Sequence, residues 1–286
     1  MVRRRIARTL LTVLLFIVPA AAIAQEGTPI GDYLGQDPPG SIPVPFAVDV
    51  LPAGAFAGTF APDLTEFYYN TPGFGGRAEI AGLRLIEGTW TPIDFVVPYA
   101  FEPHISPTGD RMFYVIEDGG MGQGYVSVRE GSGWSEPQHL PGTVNGTYHF
   151  PMYFTSTLDG TLFWTKLSND ASLVSAPFAD GTFSPARKLG FSLNYRGGCA
   201  HPGVAPDGSY VLFDMESNGQ SDLYVSFATA TGGWAQAVRI DTLSEPDADE
   251  MAPSVSPDGK IIFFNRMSTP AGIYWVDAGV LDEYRP

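Results

Sequence analysis

The chain has 286 residues and a formal net charge of −15, with 31 Asp and Glu against 16 Lys and Arg. Such a surface repels nucleic acid, whose binding depends on Lys and Arg neutralising phosphates. Its one cysteine, Cys199, excludes an internal disulfide, while 33 Gly, 25 Pro, 19 Phe, 13 Tyr and 5 Trp mark strands punctuated by turns.

Residues 1–24 read as a signal peptide. Arg3, Arg4, Arg5 and Arg8 form a basic start, Leu10 to Val18 is apolar, and Ala22-Ile23-Ala24 supplies small residues for cleavage before Gln25. The apolar run falls short of the about 20 residues that span a bilayer. No Cys stands at the cleavage point for a lipid anchor. The expectation is a periplasmic or secreted protein with no membrane span after cleavage. Residues 25–43 read as a linker and 44–286 as one domain.

From Gly58 onward the chain repeats one phrase: an alternating strand, a turn, then an aromatic-rich strand. It occurs as "GTFAPDLTEFYYN", "PHISPTGDRMFYV", "PMYFTSTLDGTLFWT", "PGVAPDGSYVLFD" and "PSVSPDGKIIFFN". Pro62, Pro107, Leu158, Pro206 and Pro257 mark equivalent places, with spacings of 45, 51, 48 and 51 residues. Each phrase continues with a third strand, such as "SDLYVSFATATGG". A fourth follows a recurring aromatic, Trp90, Trp134, Phe183 or Trp234. Four strands per 45–51 residues is the pattern of propeller blades.

The fifth repeat stops after its third strand, "AGIYWVDAG", and the tail "VDAGVLDEYRP" has room for one or two helical turns. "VPFAVDVLPAG", Val44 to Gly54, reads as a fourth strand with nothing before it. The fold class predicted is therefore all-β: a β-propeller of five four-stranded blades closed by the N-terminal strand, with six blades as the alternative. Closure removes the edges that an open array would leave.

The "APDGS" and "SPDGK" turns, each after an alternating strand, resemble the TolB-type WD-like β-propeller repeat family, in its stand-alone exported subgroup. The resemblance covers nearly all of Val44 to Pro286 and is strongest in the last two repeats. It implies the propeller fold and a protein-binding role for members of the class. Propellers also host glycosidases and polysaccharide lyases, so fold alone does not choose a function. No Gly-x-Ser-x-Gly elbow is present.

The Asp-Gly turns read as architecture. Asp63, Asp110, Asp207 and Asp258 each offer one carboxylate, whereas a calcium loop concentrates several oxygen ligands in one segment. Trp90, Trp134 and Trp234 read as packing between blades. His139 falls on an outer strand, and the run Ser244 to Glu250 reads as solvated acidic surface.

The candidate site lies where the five inner strands begin, because those ends converge at one mouth. They carry Glu102 and His104, His149, Cys199 and His201, and Asp249 and Glu250, with Tyr148, Tyr195 and Arg196 nearby. The ligand-binding candidates are Glu102, His104, His149, Arg196, His201 and Glu250. Of these, His149, His201, Glu102 and Glu250 carry the donor types to hold a divalent metal such as Zn²⁺ or Mn²⁺, or to act as acid and base. The sequence requires no cofactor, and the polar groups could equally satisfy loop backbone and ordered water.

Two readings follow. The first is a non-catalytic, monomeric exported propeller whose mouth binds a protein, glycan or small molecule. The second is a hydrolase or lyase acting on an extracytoplasmic polysaccharide through the His and Glu set.

Overall fold

In the computed structural model the repeated phrases become the inner strand pairs of five antiparallel sheets. The structure describes residues 31–72, 78–93, 97–118, 121–146, 149–168, 171–194, 198–268 and 270–286. The signal-peptide expectation and the candidate Arg196 lie outside the described residues.

A closing strand β1 (Val44–Pro45) comes first. Blade 1 holds β2 (Phe56–Phe60), β3 (Glu66–Asn70), β4 (Glu79–Ile86), β5 (Thr89–Pro92) and β6 (Val97–Pro98). Blade 2 holds β7 (Ala100–Ile105), β8 (Arg111–Asp118), β9 (Met121–Glu130), β10 (Gly133–Trp134) and β11 (Gln138–His139). In blade 3, β12 (Phe150–Ser156), β13 (Leu162–Leu167) and β14 (Ser172–Ala176) precede a small hairpin, β15 (Phe178–Ala179) and β16 (Thr182–Phe183), and then β17 (Arg187–Lys188). Blade 4 is β18 (Cys199–Val204), β19 (Tyr210–Ser217), β20 (Gln220–Phe227) and β21 (Val238–Arg239). Blade 5 is β22 (Glu250–Val255), β23 (Ile261–Arg266) and β24 (Gly272–Asp277), with β1 as its outermost strand. The inner strands β2, β7, β12, β18 and β22 touch in turn, and β22 returns to β2. At one such contact Gly203 lies so near blade 5 that a Cβ would stand 2.1 Å from the Pro253 carbonyl oxygen.

Closure uses less strand than the sequence implies. Only Val44 and Pro45 pair with β24, opposite Trp275 and Tyr274, and Phe46 adds one more bond to the Ile273 carbonyl. At Ala47 the chain takes a positive φ of 50°, and residues 47–55 form turns rather than ladder. Phe46 fastens the closure instead. Its ring lies 4.9–6.0 Å from those of Phe60, Phe67, Phe263 and Trp275, drawn from blades 1 and 5. Tyr33 and Leu34, in the segment expected as linker, are buried in the same cluster. The tail forms a 3₁₀ helix, Ala278–Tyr284, whose first turn is capped by Asp277 accepting from Gly279 N–H.

The core is a set of wedges between blades. Separate buried clusters fill the interfaces between blades 1 and 2, 2 and 3, 3 and 4, and 4 and 5, and the fifth lies at the closure. The recurring aromatics belong here, as expected of packing residues. Trp134 donates to the Tyr68 hydroxyl of blade 1 and lies under Arg129, and Trp234 meets Phe163 of blade 3 edge-on. The aspartates of the hairpins act as turn acceptors: Asp63 takes Thr65 N–H, Asp207 takes Ser209 N–H and Asp258 takes Lys260 N–H. His139 is exposed on β11, with its ring edge-on to Tyr125.

Candidate ligand site at the mouth

Every inner strand carries one bulge, and it falls at the same place in each blade. The register breaks between Phe56 and Thr59, Phe101 and His104, Met152 and Thr155, Ala200 and Gly203, and Met251 and Ser254. One residue in each break is left-handed: Ala57 (φ 50°), Glu102 (59°), Tyr153 (54°), His201 (50°) and Ala252 (53°). Left-handed backbone at a non-glycine residue costs roughly 1–2 kcal/mol, so five equivalent instances imply a compensating interaction.

That interaction is a ring of hydrogen bonds across blade boundaries. The freed N–H of each left-handed residue donates to a side chain of the preceding blade. Ala57 N–H reaches Asn265 Oδ1 at 3.0 Å and Glu102 N–H reaches Asn70 Oδ1 at 2.6 Å. His201 N–H reaches Thr165 Oγ1 at 2.8 Å and Ala252 N–H reaches Asp214 Oδ1 at 2.9 Å. These four acceptors stand at one register position of the second strands, opposite Met251, Phe56, Met152 and Ala200. In blade 2 that position is Val115, opposite Phe101, which has no acceptor. Glu102 takes over: its Oε2 accepts from Tyr153 N–H at 2.7 Å.

This substitution draws a carboxylate to the axis. Glu102 is 6% exposed, and its other oxygen, Oε1, lies 3.8 Å from His201 Nε2. His201 Nδ1 is 2.7 Å from Asp214 Oδ1, and the Tyr153 ring stands edge-on to the imidazole at 5.1 Å. The Tyr153 hydroxyl donates to the Ala252 carbonyl at 2.7 Å. Burial pushes the Glu102 pKa up to about 7, against the opposing pull of His201 and Tyr153 N–H. Burial opposes charge on His201 too, but Asp214 and Glu102 outweigh it and hold its pKa above the ordinary value.

A cavity of 340 Å³ opens between blades 1, 2 and 5, with Glu102 among its lining residues. Phe56, Tyr99, Phe101 and Met267 form much of its wall. Glu102 and Glu117 are its only charged lining residues among those described. Asn70 and Asn265 also face it, but their amides are committed to backbone partners at Ala100 and Ala55.

The structure therefore brings Glu102 and His201 together and places His104, His149 and Glu250 apart from them. His104 is tied to Ser156 Oγ at 2.9 Å, deeper along the axis, and burial pushes its pKa down to about 3. His149 Nε2 lies 2.9 Å from the Val144 carbonyl and 3.2 Å from Gly146 N, so its own loop holds the ring. Glu250 is fully buried against Arg266, whose Nε lies 2.8 Å from its Oε1; burial raises its pKa to about 7. Arg266 also reaches Glu245 at 2.6 Å, so part of the acidic run Ser244 to Glu250 is an ion-pair network rather than free surface. Cys199 is buried, donates to the Leu193 carbonyl, and has its pKa raised to about 11 by burial. Among the described residues no group of three or more His, Cys, Asp or Glu side chains is placed to hold a metal ion.

Two participants were not foreseen from sequence. Asp214 sits inside an aromatic-rich strand, "YVLFDME", where its polar character among apolar neighbours was the available signal. Tyr153 had none, because the left-handed position holds Ala, Glu, Tyr, His and Ala in turn.

Ring, closure and mouth define a five-bladed β-propeller with a largely apolar pocket, lined in part by Glu102, at one end of its axis. No helix among the described residues is long and apolar enough to cross a membrane. Solved structures share the fold. TolB from Acinetobacter baumannii matches with a TM-score of 0.52 and 18% identity over 78% of this chain, which spans only 57% of the TolB length. A gluconolactonase from Xanthomonas campestris matches with a TM-score of 0.55 and 12% identity, covering 88% of this chain and 86% of its own. A thermostable family-43 glycoside hydrolase matches with a TM-score of 0.52 and 11% identity, over 84% of this chain and 91% of its own. No family model matches the sequence, and no curated protein matches it.

Proposed function

We propose that this chain is an exported propeller that binds a small molecule in the mouth pocket between blades 1, 2 and 5. The observation that carries the reading is the 340 Å³ cavity with Glu102 among its lining residues. Its size falls in the range of small-molecule sites, about 300–1,000 Å³, and its apolar wall with few polar groups has their usual character. Export rests on the basic, apolar and small-residue succession of the first 24 residues, and a soluble periplasmic location fits the fold shared with TolB.

A thermal-shift screen of the mature chain tests this reading. Ligands should raise the melting temperature of the wild type but not of Ala271→Trp, which fills the pocket from an exposed position. Hits that stabilise both proteins equally would place binding elsewhere and overturn it.

One observation favours a second reading, acid–base catalysis on a glycan or lactone. Glu102 has a near-neutral pKa beside the Asp214–His201 pair, the condition expected of a general base. The gluconolactonase and the glycoside hydrolase show that proteins of this fold include enzymes. Asp214 is already committed to His201 and Ala252 N–H, and the other carboxylate that lines the pocket, Glu117, is exposed. The pattern suits a single proton-abstracting base better than the paired carboxylates of most glycosidases. Turnover of lactone or uronide substrates that vanishes in Glu102→Gln would support it.

A further inference from the structure

We infer that the ligand class of the mouth pocket is an organic cation: an ammonium group on an apolar, preferably aromatic, body. This rests on the binding reading above and adds the chemistry of the occupant. The Glu102 carboxylate supplies the first reason. Glu102 is more than nine-tenths buried, and Oε2 is satisfied by Tyr153 N–H. Oε1 makes no hydrogen bond among the described residues and lies 3.8 Å from His201 Nε2. A carboxylate oxygen without a donor from the protein gains most from an N–H donor carrying positive charge.

The charge of the lining supplies the second. The charged residues that line the cavity among those described are two carboxylates, Glu102 and the exposed Glu117. No Lys, Arg or His lines the cavity among the described residues. An anion would meet uncompensated repulsion there, and a neutral polyol would leave the apolar wall unused.

The wall supplies the third. Phe56, Tyr99 and Phe101 line the same cavity as Glu102. A cation over such rings is attracted by their negative faces, and the attached hydrocarbon is removed from water.

Three matched probes at pH 8 test the assignment by calorimetry: phenethylammonium, 2-phenylethanol and 3-phenylpropionate. The expected result is phenethylammonium binding at least about tenfold more tightly than the alcohol, with the carboxylate weakest. Glu102→Gln, which keeps an acceptor for Tyr153 N–H, should erase that margin while leaving alcohol binding within about twofold. Glu117→Gln should cost the cation only about twofold, as befits an exposed charge. Equal binding of all three probes, abolished by Ala271→Trp, would overturn the cation assignment while leaving the pocket a ligand site. Phenethylammonium binding that Glu102→Gln does not change would also overturn it. Failure of all three probes in the wild type would overturn the assignment, and the screen above would then decide whether the pocket binds anything.

Discussion

Replacing Glu102 by Gln removes a titration from the axis without removing the acceptor that Tyr153 N–H uses. In the folded chain the Glu102 pKa rises from 4.5 to about 7. The folded state therefore binds more protons than the unfolded state between those values. Stability from this group is fully present below pH 4.5 and is lost as pH rises through 7. The charged groups facing it are His201 and, behind that ring, Asp214, with the Tyr153 hydroxyl alongside. At about 1.4 kcal/mol per unit, the loss attributable to Glu102 is at most about 3 kcal/mol between pH 4 and pH 8. The variant lacks this loss, so its stability relative to wild type should rise by up to that amount over the interval. Urea unfolding of both proteins at the two pH values measures the change, because contributions from His104 and Glu250 cancel in the difference. A gap between the proteins that is the same at pH 4 and pH 8 would refute the reasoning, since Glu102 would then titrate in the folded chain as it does in the unfolded one.

Three further outcomes follow from the packing. Asp214→Ala strips partners from Ala252 N–H and His201 Nδ1, and should cost about 2–4 kcal/mol by denaturant unfolding, with Asp214→Asn costing less. Phe46→Ala removes the ring that joins blades 1 and 5, and should cost about 3–5 kcal/mol by the same measurement. Cys199, buried and with its pKa raised to about 11, should resist an aromatic disulfide reagent at pH 8 in the folded protein and react fully once unfolded.

Much of the fold was legible because it is repeated. The strand–turn–strand phrase recurs with an Asp acceptor at each turn, and only a propeller stacks such units into a closed ring. The closing strand was legible in place but not in length. Pro45 has no N–H for a ladder, and the work of closure falls to the Phe46 ring, which strand periodicity does not reveal.

The site was legible only by register. Placing the inner-strand ends at one mouth drew attention to Glu102 and His201, which do meet. The same logic named His149 and Glu250, whose loops and partners turn them elsewhere. The bulge makes the difference. A left-handed residue re-aims one side chain per blade toward the axis, and its position depends on backbone conformation rather than residue type. Nor does a sequence reveal that Val115 breaks the ring of acceptors, so that Glu102 must complete it.

The most direct measurement is a crystal structure of the mature chain grown at pH 8 and soaked with phenethylammonium. The account predicts the aromatic ring against Phe56 and Phe101 and the ammonium nitrogen about 3 Å from Glu102 Oε1. An empty mouth, with the molecule bound elsewhere on the chain, would contradict it.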